Sequence, residues 1–220
     1  LKGSLLRKMP GDGWQQFANL RTLLAYQFTR PGKKLVFMGT ELAPWGEWNH
    51  DAGLDWASAG GPMRAAFGAF VRALGAVYTE HPALWRRDHE PRGFQWVDLA
   101  DRDQSVVSYV RRGDDGDAPV LVVLNLTPVP RDGYRVGAPA PGAYRVALSS
   151  DDPRYGGSGY GWAERVTAEA APYHGHAQSV VLTLPPLGAL VLVAEGGAGD
   201  GGPGEAGADG EAVPALERPQ

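Results

Sequence analysis

The stretch RRGDDGDAPVLVVLNL, residues 111–126, shows the pattern that determines the fold of the C-terminal half of the chain. Its first part is rich in Gly and Asp, which favour turns, and its second part is a short apolar run typical of a strand. The same alternation of turn and β-prone run continues after residue 92, and the predicted strands are Phe94–Leu99, Ser105–Arg111, Val120–Leu126, Tyr144–Leu148, Ser179–Leu184 and Ala189–Val193. Several short strands with such turns predict an antiparallel β-sandwich over residues 92–195. LTLPPLGALVLVA, residues 182–194, is predicted to be its terminal hairpin, with Pro185 and Pro186 near the corner.

Two helices are predicted before residue 92. Asp12 is suited to cap the first, with Gln15 completing a capping box. Pro31-Gly32 ends this helix. Within it, apolar residues recur every three or four positions: Trp14, Phe17, Leu20, Leu24 and Phe28. The second helix is predicted from Pro62 to about Thr79. Between them, the apolar run Lys34–Met38 predicts a short strand buried on both faces, as in a parallel sheet.

Composition limits the classes of function. The 220 residues carry a net charge of −4 with no basic stripe, which argues against nucleic acid as a partner. No apolar run approaches the roughly 20 residues of a membrane span. Cysteine is absent, which excludes disulfides and thiolate chemistry and suits a cytoplasmic protein. Residues 196–220 contain eight glycines and are predicted to be a disordered tail.

The segment LVFMGTELAPWGEWNHDAGLDW, residues 35–56, is the candidate binding site. Acidic and aromatic side chains follow the predicted strand at its carboxyl end, where (β/α)₈ barrels hold their active sites. Carboxylates accept hydrogen bonds from sugar hydroxyls, and aromatic rings stack on the apolar faces of sugars. The substrate-binding candidates are Glu41, Trp45, Trp48, His50 and Asp51, together with Trp14 and Trp96 elsewhere in the chain.

Each candidate also has a structural interpretation. Glu41 is as well suited to an ion pair beneath the candidate site as to a sugar contact. Glu47 and Asp51 are suited to solvated loop positions. Tryptophans such as Trp48 and Trp56 more often hold a loop in place by packing than bind a sugar. Trp45, between Pro and Gly, is therefore the best candidate for an exposed ring that stacks on a sugar. A lone histidine such as His50 is usually structural, Asp12 is a cap rather than a catalyst, and Trp14 lies on the helical stripe. His174 and His176, two residues apart and without cysteines nearby, do not predict a metal site.

Several long motifs resemble the 1,4-α-glucan branching enzymes of the α-amylase superfamily. The resemblance runs in order from about residue 2 to 194 and is carried by residues 8–56, 120–159 and 172–193, which begin KMPGDGWQQF, VLVVLNLTPV and PYHGHAQSVV. It implies that residues 1–91 are the last part of a (β/α)₈ barrel, with one strand and two helices, and that residues 92–195 are the C-terminal sandwich. The expected fold is therefore multidomain, α/β plus all-β, with a disordered tail at 196–220.

The resemblance also implies an activity, its substrate and its limits. Members of the family cleave an α-1,4-glucan and transfer the released chain to a 6-hydroxyl, without a cofactor, as monomers acting on glycogen. All three catalytic carboxylates are expected upstream of Leu1, so the chain is expected to be a fragment that is inactive alone. Thr40, Leu42, Ala43 and Pro44 depart from the family pattern, whereas Glu41 is retained. The alternatives are a non-catalytic α-glucan-binding module, or a fragment of another α-amylase superfamily enzyme, such as one that releases trehalose from maltooligosaccharides.

Overall fold

The computed structural model describes residues 3–196, apart from the side chains of residues 58 and 59. A short helix, α1 (Leu5–Lys8), is followed by two long helices, α2 (Gly13–Thr29) and α3 (Pro62–Glu80). Eight strands then follow: β1 (Phe94–Asp98), β2 (Val106–Arg111), β3 (Val120–Asn125), β4 (Arg131–Ala138), β5 (Ala143–Ser149), β6 (Arg165–Thr167), β7 (Gln178–Leu184) and β8 (Gly188–Glu195). The predicted tail lies outside the described residues, except for Gly196.

Local sequence signals set the helix ends as predicted. The Asp12 carboxylate accepts a hydrogen bond from the Gln15 backbone N–H, and the Gln15 side chain accepts one from the Asp12 N–H, which completes the capping box at α2. Pro31 disfavours a helical conformation at Arg30, which is extended, so α2 ends at Thr29. Pro62 occupies the first turn of α3.

The strands form two antiparallel sheets. Six strands pair in the order β1-β2-β3-β8-β5-β6, and β4 pairs only with β7. The helices cover one face of the six-stranded sheet and the two-stranded sheet covers the other. The central strand β3 is consequently buried on both faces: Val120, Val122 and Leu124 contact the helix side, whereas Leu121 and Val123 contact the small sheet.

The predicted strand at Lys34–Met38 is wrong. Residues 33–37 are irregular, Leu35 is 70% exposed, and Phe37 and Met38 are each 52% exposed. A strand requires a neighbour for its backbone hydrogen bonds. In the described part of the chain, both sheets are built from residues 94–195, and neither pairs with this segment.

The predicted terminal hairpin is also wrong. β7 belongs to the two-stranded sheet, whereas β8 lies between β3 and β5 in the large one. Pro185 and Pro186 lack the N–H groups that would continue a ladder, so the chain crosses between the layers at this corner. The Asn125 side chain donates a hydrogen bond of 2.9 Å to the Pro185 carbonyl and fixes the crossing.

A buried ion pair joins the helices to the large sheet. Arg111 on β2 is completely buried, and its guanidinium donates to Asp88 at 2.5 Å, to the Thr29 carbonyl at the end of α2 at 2.7 Å, and to the Gly93 carbonyl at 3.1 Å. Asp88 is itself 9% exposed. Such pairs are costly to break because the remaining charge stays buried.

We expect Asp88→Ala to lower the free energy of unfolding by about 3–5 kcal/mol, because the Arg111 guanidinium would lose its counter-charge. Urea unfolding followed by tryptophan fluorescence measures this change. The double variant with Arg111→Met should recover part of the loss, whereas Glu90→Gln, at an exposed ion pair with Arg92, should leave the midpoint unchanged. Equal midpoints for Asp88→Ala and the parent would contradict the role assigned to this pair.

Candidate functional site

The candidate segment 35–56 forms an irregular loop beside the helices. Its backbone turns sharply, because Met38, Gly39 and Ala43 all have positive φ. At Gly39 an added Cβ would lie 2.8 Å from a Leu54 methyl, so both the conformation and the contact favour glycine there. The loop exposes an unusual share of large apolar side chains: Leu35, Phe37, Met38, Trp45, Trp48 and Trp56.

Part of this loop and α1 together line a cleft of about 250 Å³. Phe37, Met38 and Trp48 contribute apolar walls, and Leu5 and Leu6 contribute from the side of α1. Trp48 is 43% exposed and packs edge-to-face on Phe37, with 5.3 Å between the ring centroids. This contact orients the Trp48 ring while leaving much of its surface accessible.

Glu47 is the only carboxylate among the described residues that line this cleft. A retaining glycosidase reaction requires two carboxyl groups, about 5–5.5 Å apart, that flank the scissile bond. The described residues of the cleft therefore supply one of the two carboxyl groups that such a reaction requires.

The other candidates in the loop do not line this cleft. Trp45 is 43% exposed and packs edge-to-face on Phe17 of α2 at 6.1 Å, and its carbonyl accepts a hydrogen bond from the Ser4 hydroxyl. His50 lies 3.2 Å from Asp51, but both side chains are 76% exposed, so solvent screens the pair. The Asp51 N–H donates to the Asn49 side chain, which is a local turn contact. Glu41 forms no hydrogen bond or ion pair with a described residue.

Trp14 and Trp96 lie apart from each other, near the two ends of α2. The Trp14 indole N–H donates to the Gly156 carbonyl at 3.0 Å, which ties the start of α2 to the loop after β5. Trp96 is 36% exposed, and the Arg30 guanidinium lies 4.7 Å from its ring centroid. Residues 14 and 30 are separated by about 24 Å along the helix at 1.5 Å per residue. The seven predicted candidates therefore do not form one site.

Histidines on the sandwich side do not assemble a metal centre. Within residues 3–196, no group of three or more His, Asp or Glu side chains is arranged to hold a metal ion. His174 and His176 lie on a tight turn closed by reciprocal backbone hydrogen bonds between Tyr173 and His176. Burial lowers the pKa of His176 below its usual value, and the nearby Arg112 and His174 act in the same direction.

A pH dependence of stability follows from two histidines. Burial also lowers the pKa of His81, whose Nε2 is buried without a partner. Unfolded histidines take up protons near pH 6.5, whereas these two resist protonation in the folded chain. We therefore expect the free energy of unfolding to be highest above pH 6.5 and to fall as the pH is lowered through the depressed folded pKa values.

The free energy of unfolding, measured by denaturant titration at several pH values between 7.5 and 5.5, tests this expectation. The double variant His81→Leu/His176→Leu should have a flatter stability profile than the parent, while the exposed-site variant His50→Gln should retain the parent's slope. A double variant that loses stability with pH as steeply as the parent would refute the assignment.

A second concavity, of about 450 Å³, was not predicted from the sequence. It lies among the end of β1, the turn after it, the start of β4 and the 173–176 turn, and its walls include Asp98, Asp101, Asp132, Tyr134 and Tyr173. These residues are dispersed over 76 positions, so no local motif brings them together. The alternating apolar positions Tyr134, Val136 and Ala138 are the sequence signal for strand β4, which is not among the predicted strands.

Comparison with known proteins identifies the β region. Residues 96–195 match the family described as alpha amylase, C-terminal all-beta domain. This region is therefore similar to the α-amylase C-terminal domain. Its all-antiparallel sheets confirm the predicted all-β architecture. A solved Nostoc punctiforme debranching enzyme shares the fold with a TM-score of 0.55 at 16% identity, over 87% of this chain and 33% of that one.

Similarity to curated proteins extends beyond the α-amylase C-terminal domain. The chain is 52% identical over 195 residues to the 1,4-alpha-glucan branching enzyme GlgB 1 of Xanthomonas euvesicatoria, and 51% identical over 192 residues to the GlgB of Thiobacillus denitrificans. These alignments cover 89% and 87% of this chain. The chain spans only about a quarter of these relatives, 27% and 26%, and corresponds to their C-terminal region. The predicted relationship to branching enzymes is confirmed.

Among the described residues, no helix combines the length and apolarity needed to cross a membrane.

Proposed function

We propose that this chain supplies the C-terminal part of a 1,4-α-glucan branching enzyme acting on glycogen. Identity of about 50% over nearly nine tenths of the chain carries the proposal. The same relatives favour branching over the trehalose-releasing alternative. A cytoplasmic location belongs to the proposal, in keeping with the absence of cysteine. A monomeric enzyme also belongs to the proposal.

The proposed reaction divides between this chain and the rest of the enzyme. A retaining transfer needs a carboxylate nucleophile to form the glycosyl intermediate and a carboxylic acid to protonate the leaving oxygen. We assign these groups, and the carboxylate that stabilises the transition state, to the region that corresponds to the other three quarters of the relatives. Glucan contacts are assigned to Trp48 in the cleft, and to Glu41, Trp45, His50 and Asp51 on the same loop.

The proposed organisation assigns residues 1–91 to the end of the catalytic barrel and residues 92–195 to the sandwich. Helices α2 and α3 would be the last two barrel helices. The exposed apolar side chains of Leu35, Phe37 and Met38 support this assignment, because a surface of this kind is typical of a contact that is covered in the complete protein. Trp14 and Trp96 would contribute to the contact between barrel and sandwich more than to sugar binding.

We expect the 220-residue chain to introduce no α-1,6 branches into amylose. An iodine-stain assay, followed by counting the chain ends released by a debranching enzyme, measures this. Adding a polypeptide that covers the preceding region of the Xanthomonas euvesicatoria enzyme should produce branching, because that region would bring the catalytic carboxylates. A variant of that polypeptide without its nucleophile is the matched control. Branching by the 220-residue chain alone would overturn the division of labour.

A non-catalytic α-glucan-binding module is the second candidate function. The observation that favours it is the cleft, in which an oriented aromatic ring stands beside a single carboxylate.

Retardation of the purified chain in glycogen-containing native gels tests binding. Trp48→Ala should weaken the association about three- to tenfold, equivalent to about 0.7–1.4 kcal/mol. Trp56→Ala is the control, because Trp56 is exposed in the same loop but does not line the cleft. Equal retardation of the parent and the Trp48 variant would show that the cleft does not contribute to glycogen binding.

A further inference from the structure

The second concavity, which we name the β1–β4 pocket, lies on the sandwich side of the molecule. Asp98 and Asp101 come from the end of β1 and the turn after it, Asp132 and Tyr134 from β4, and Tyr173 and His174 from the 173–176 turn. Strand β4 packs on the face of the large sheet opposite the helices, whereas the cleft of the 35–56 loop lies beside them. The two concavities are therefore separate surfaces.

The three carboxylates of the pocket are held in place by protein donors. Asp101 accepts from the Gln104 backbone N–H at 3.1 Å and from the Tyr134 hydroxyl at 3.0 Å. Asp132 accepts from the Tyr160 hydroxyl at 3.0 Å, and Asp98 accepts from the Ala100 N–H at 2.8 Å. A carboxylate offers about four acceptor positions, so each group keeps free positions in a fixed orientation.

Tyr134 supplies a neutral hydroxyl to the lining of the pocket. Burial raises the pKa of this phenol far above its usual value, and its hydrogen bond to Asp101 raises it further. The group therefore stays protonated at any physiological pH. It serves as a fixed donor to Asp101 and retains acceptor capacity of its own.

An exposed aromatic ring forms one wall of the pocket. Tyr173 is 42% exposed, and its ring centroid lies 4.1 Å from that of His174. The turn that carries both residues packs closely on β4: a Cβ at Gly137 would lie 2.5 Å from the Tyr173 carbonyl oxygen. Only glycine permits this approach, which sets the position of the Tyr173 backbone beside the carboxylates.

The combination favours a neutral polyhydroxylated ligand. Three carboxylates would repel a phosphate or another anion. A metal cation would need several converging ligands, and within residues 3–196 no group of three or more acidic or histidine side chains is arranged to hold one. Sugar hydroxyls, in contrast, can donate to oriented carboxylates while the apolar face of a sugar ring contacts an aromatic side chain.

We propose that the β1–β4 pocket is a saccharide-binding site distinct from the 35–56 loop. The choice of α-1,4-glucan as its ligand rests on the proposed function. The site holds a glucan chain on the sandwich, away from any reacting bond.

Calorimetric titration of the 220-residue chain with maltohexaose and, in parallel, with cellohexaose tests the proposal. We expect Tyr173→Ala to weaken maltohexaose binding at least fivefold, because the ring contact is lost, and Asp101→Asn to weaken it three- to tenfold, because a charged acceptor becomes neutral. Asp103→Asn is the matched control, since this exposed carboxylate does not line the pocket.

The outcomes separate this proposal from the proposed function. If Tyr173→Ala does not fold, as judged by its unfolding midpoint, Asp101→Asn decides alone. If the folded pocket variants bind maltohexaose as tightly as the parent, the proposed saccharide site is wrong, even where branching is seen with the complementing polypeptide. Pocket-dependent binding of cellohexaose as tight as that of maltohexaose, with no branching on complementation, would instead support a saccharide site and overturn the branching assignment.

Discussion

The buried guanidinium of Arg111 is the contact on which the arrangement of helices and sheet depends. It lies on β2, yet it satisfies the Thr29 carbonyl at the end of α2 and the Gly93 carbonyl before β1. Helix-terminal carbonyls lack intrahelical partners, so this contact satisfies a group that burial would otherwise leave unpaired. Arg21 acts similarly farther along α2, donating to the Ser150 carbonyl at 2.7 Å. Its pKa is lowered to about 10 by burial. Two arginines thus fix the position of α2 along the sheet.

This attachment explains why one hydrophobic core crosses the boundary drawn from sequence at residue 91. Phe17, Phe67 and Leu74 from the helices share a core with Val122 and Val191 from the central strands. The change from helical to β-prone patterns at this position is real, because the helices end before it and the strands begin after it. Local patterns do not show which apolar faces meet. The continuous apolar runs of β3 and β8 carry that information, since both faces of these strands are buried.

Prediction from sequence succeeded where the cause is local and failed where it depends on distant partners. The Asp12 cap, Pro62 and the turn-bounded strands follow from neighbouring residues, and the structure confirms them. The run Lys34–Met38 has strand composition, but its hydrogen-bonding requirement depends on a neighbour that the described chain does not supply. The strands on either side of Pro185 looked like a hairpin because they are adjacent in sequence. Their separation into two sheets follows from the insertion of β8 between β3 and β5, which no short motif encodes.

The candidate residues show the same limit, and with it a reason to separate binding from chemistry. Five of the seven residues chosen for their side-chain type lie on the 35–56 loop, whereas Trp14 and the Arg30–Trp96 contact lie near opposite ends of α2. Conversely, the fold assembles the β1–β4 pocket from residues that no spacing rule connects. Among the described residues, the cleft beside α1 is lined by a single carboxylate, and in the β1–β4 pocket the carboxylates already accept hydrogen bonds from tyrosines and backbone. Groups held in this way are suited to retain a saccharide chain, whereas a retaining cleavage needs a carboxylate nucleophile and a carboxylic acid that flank the scissile bond about 5–5.5 Å apart. The described surfaces therefore support the proposal that this chain holds the glucan, whereas the reacting groups belong to the remainder of the proposed enzyme.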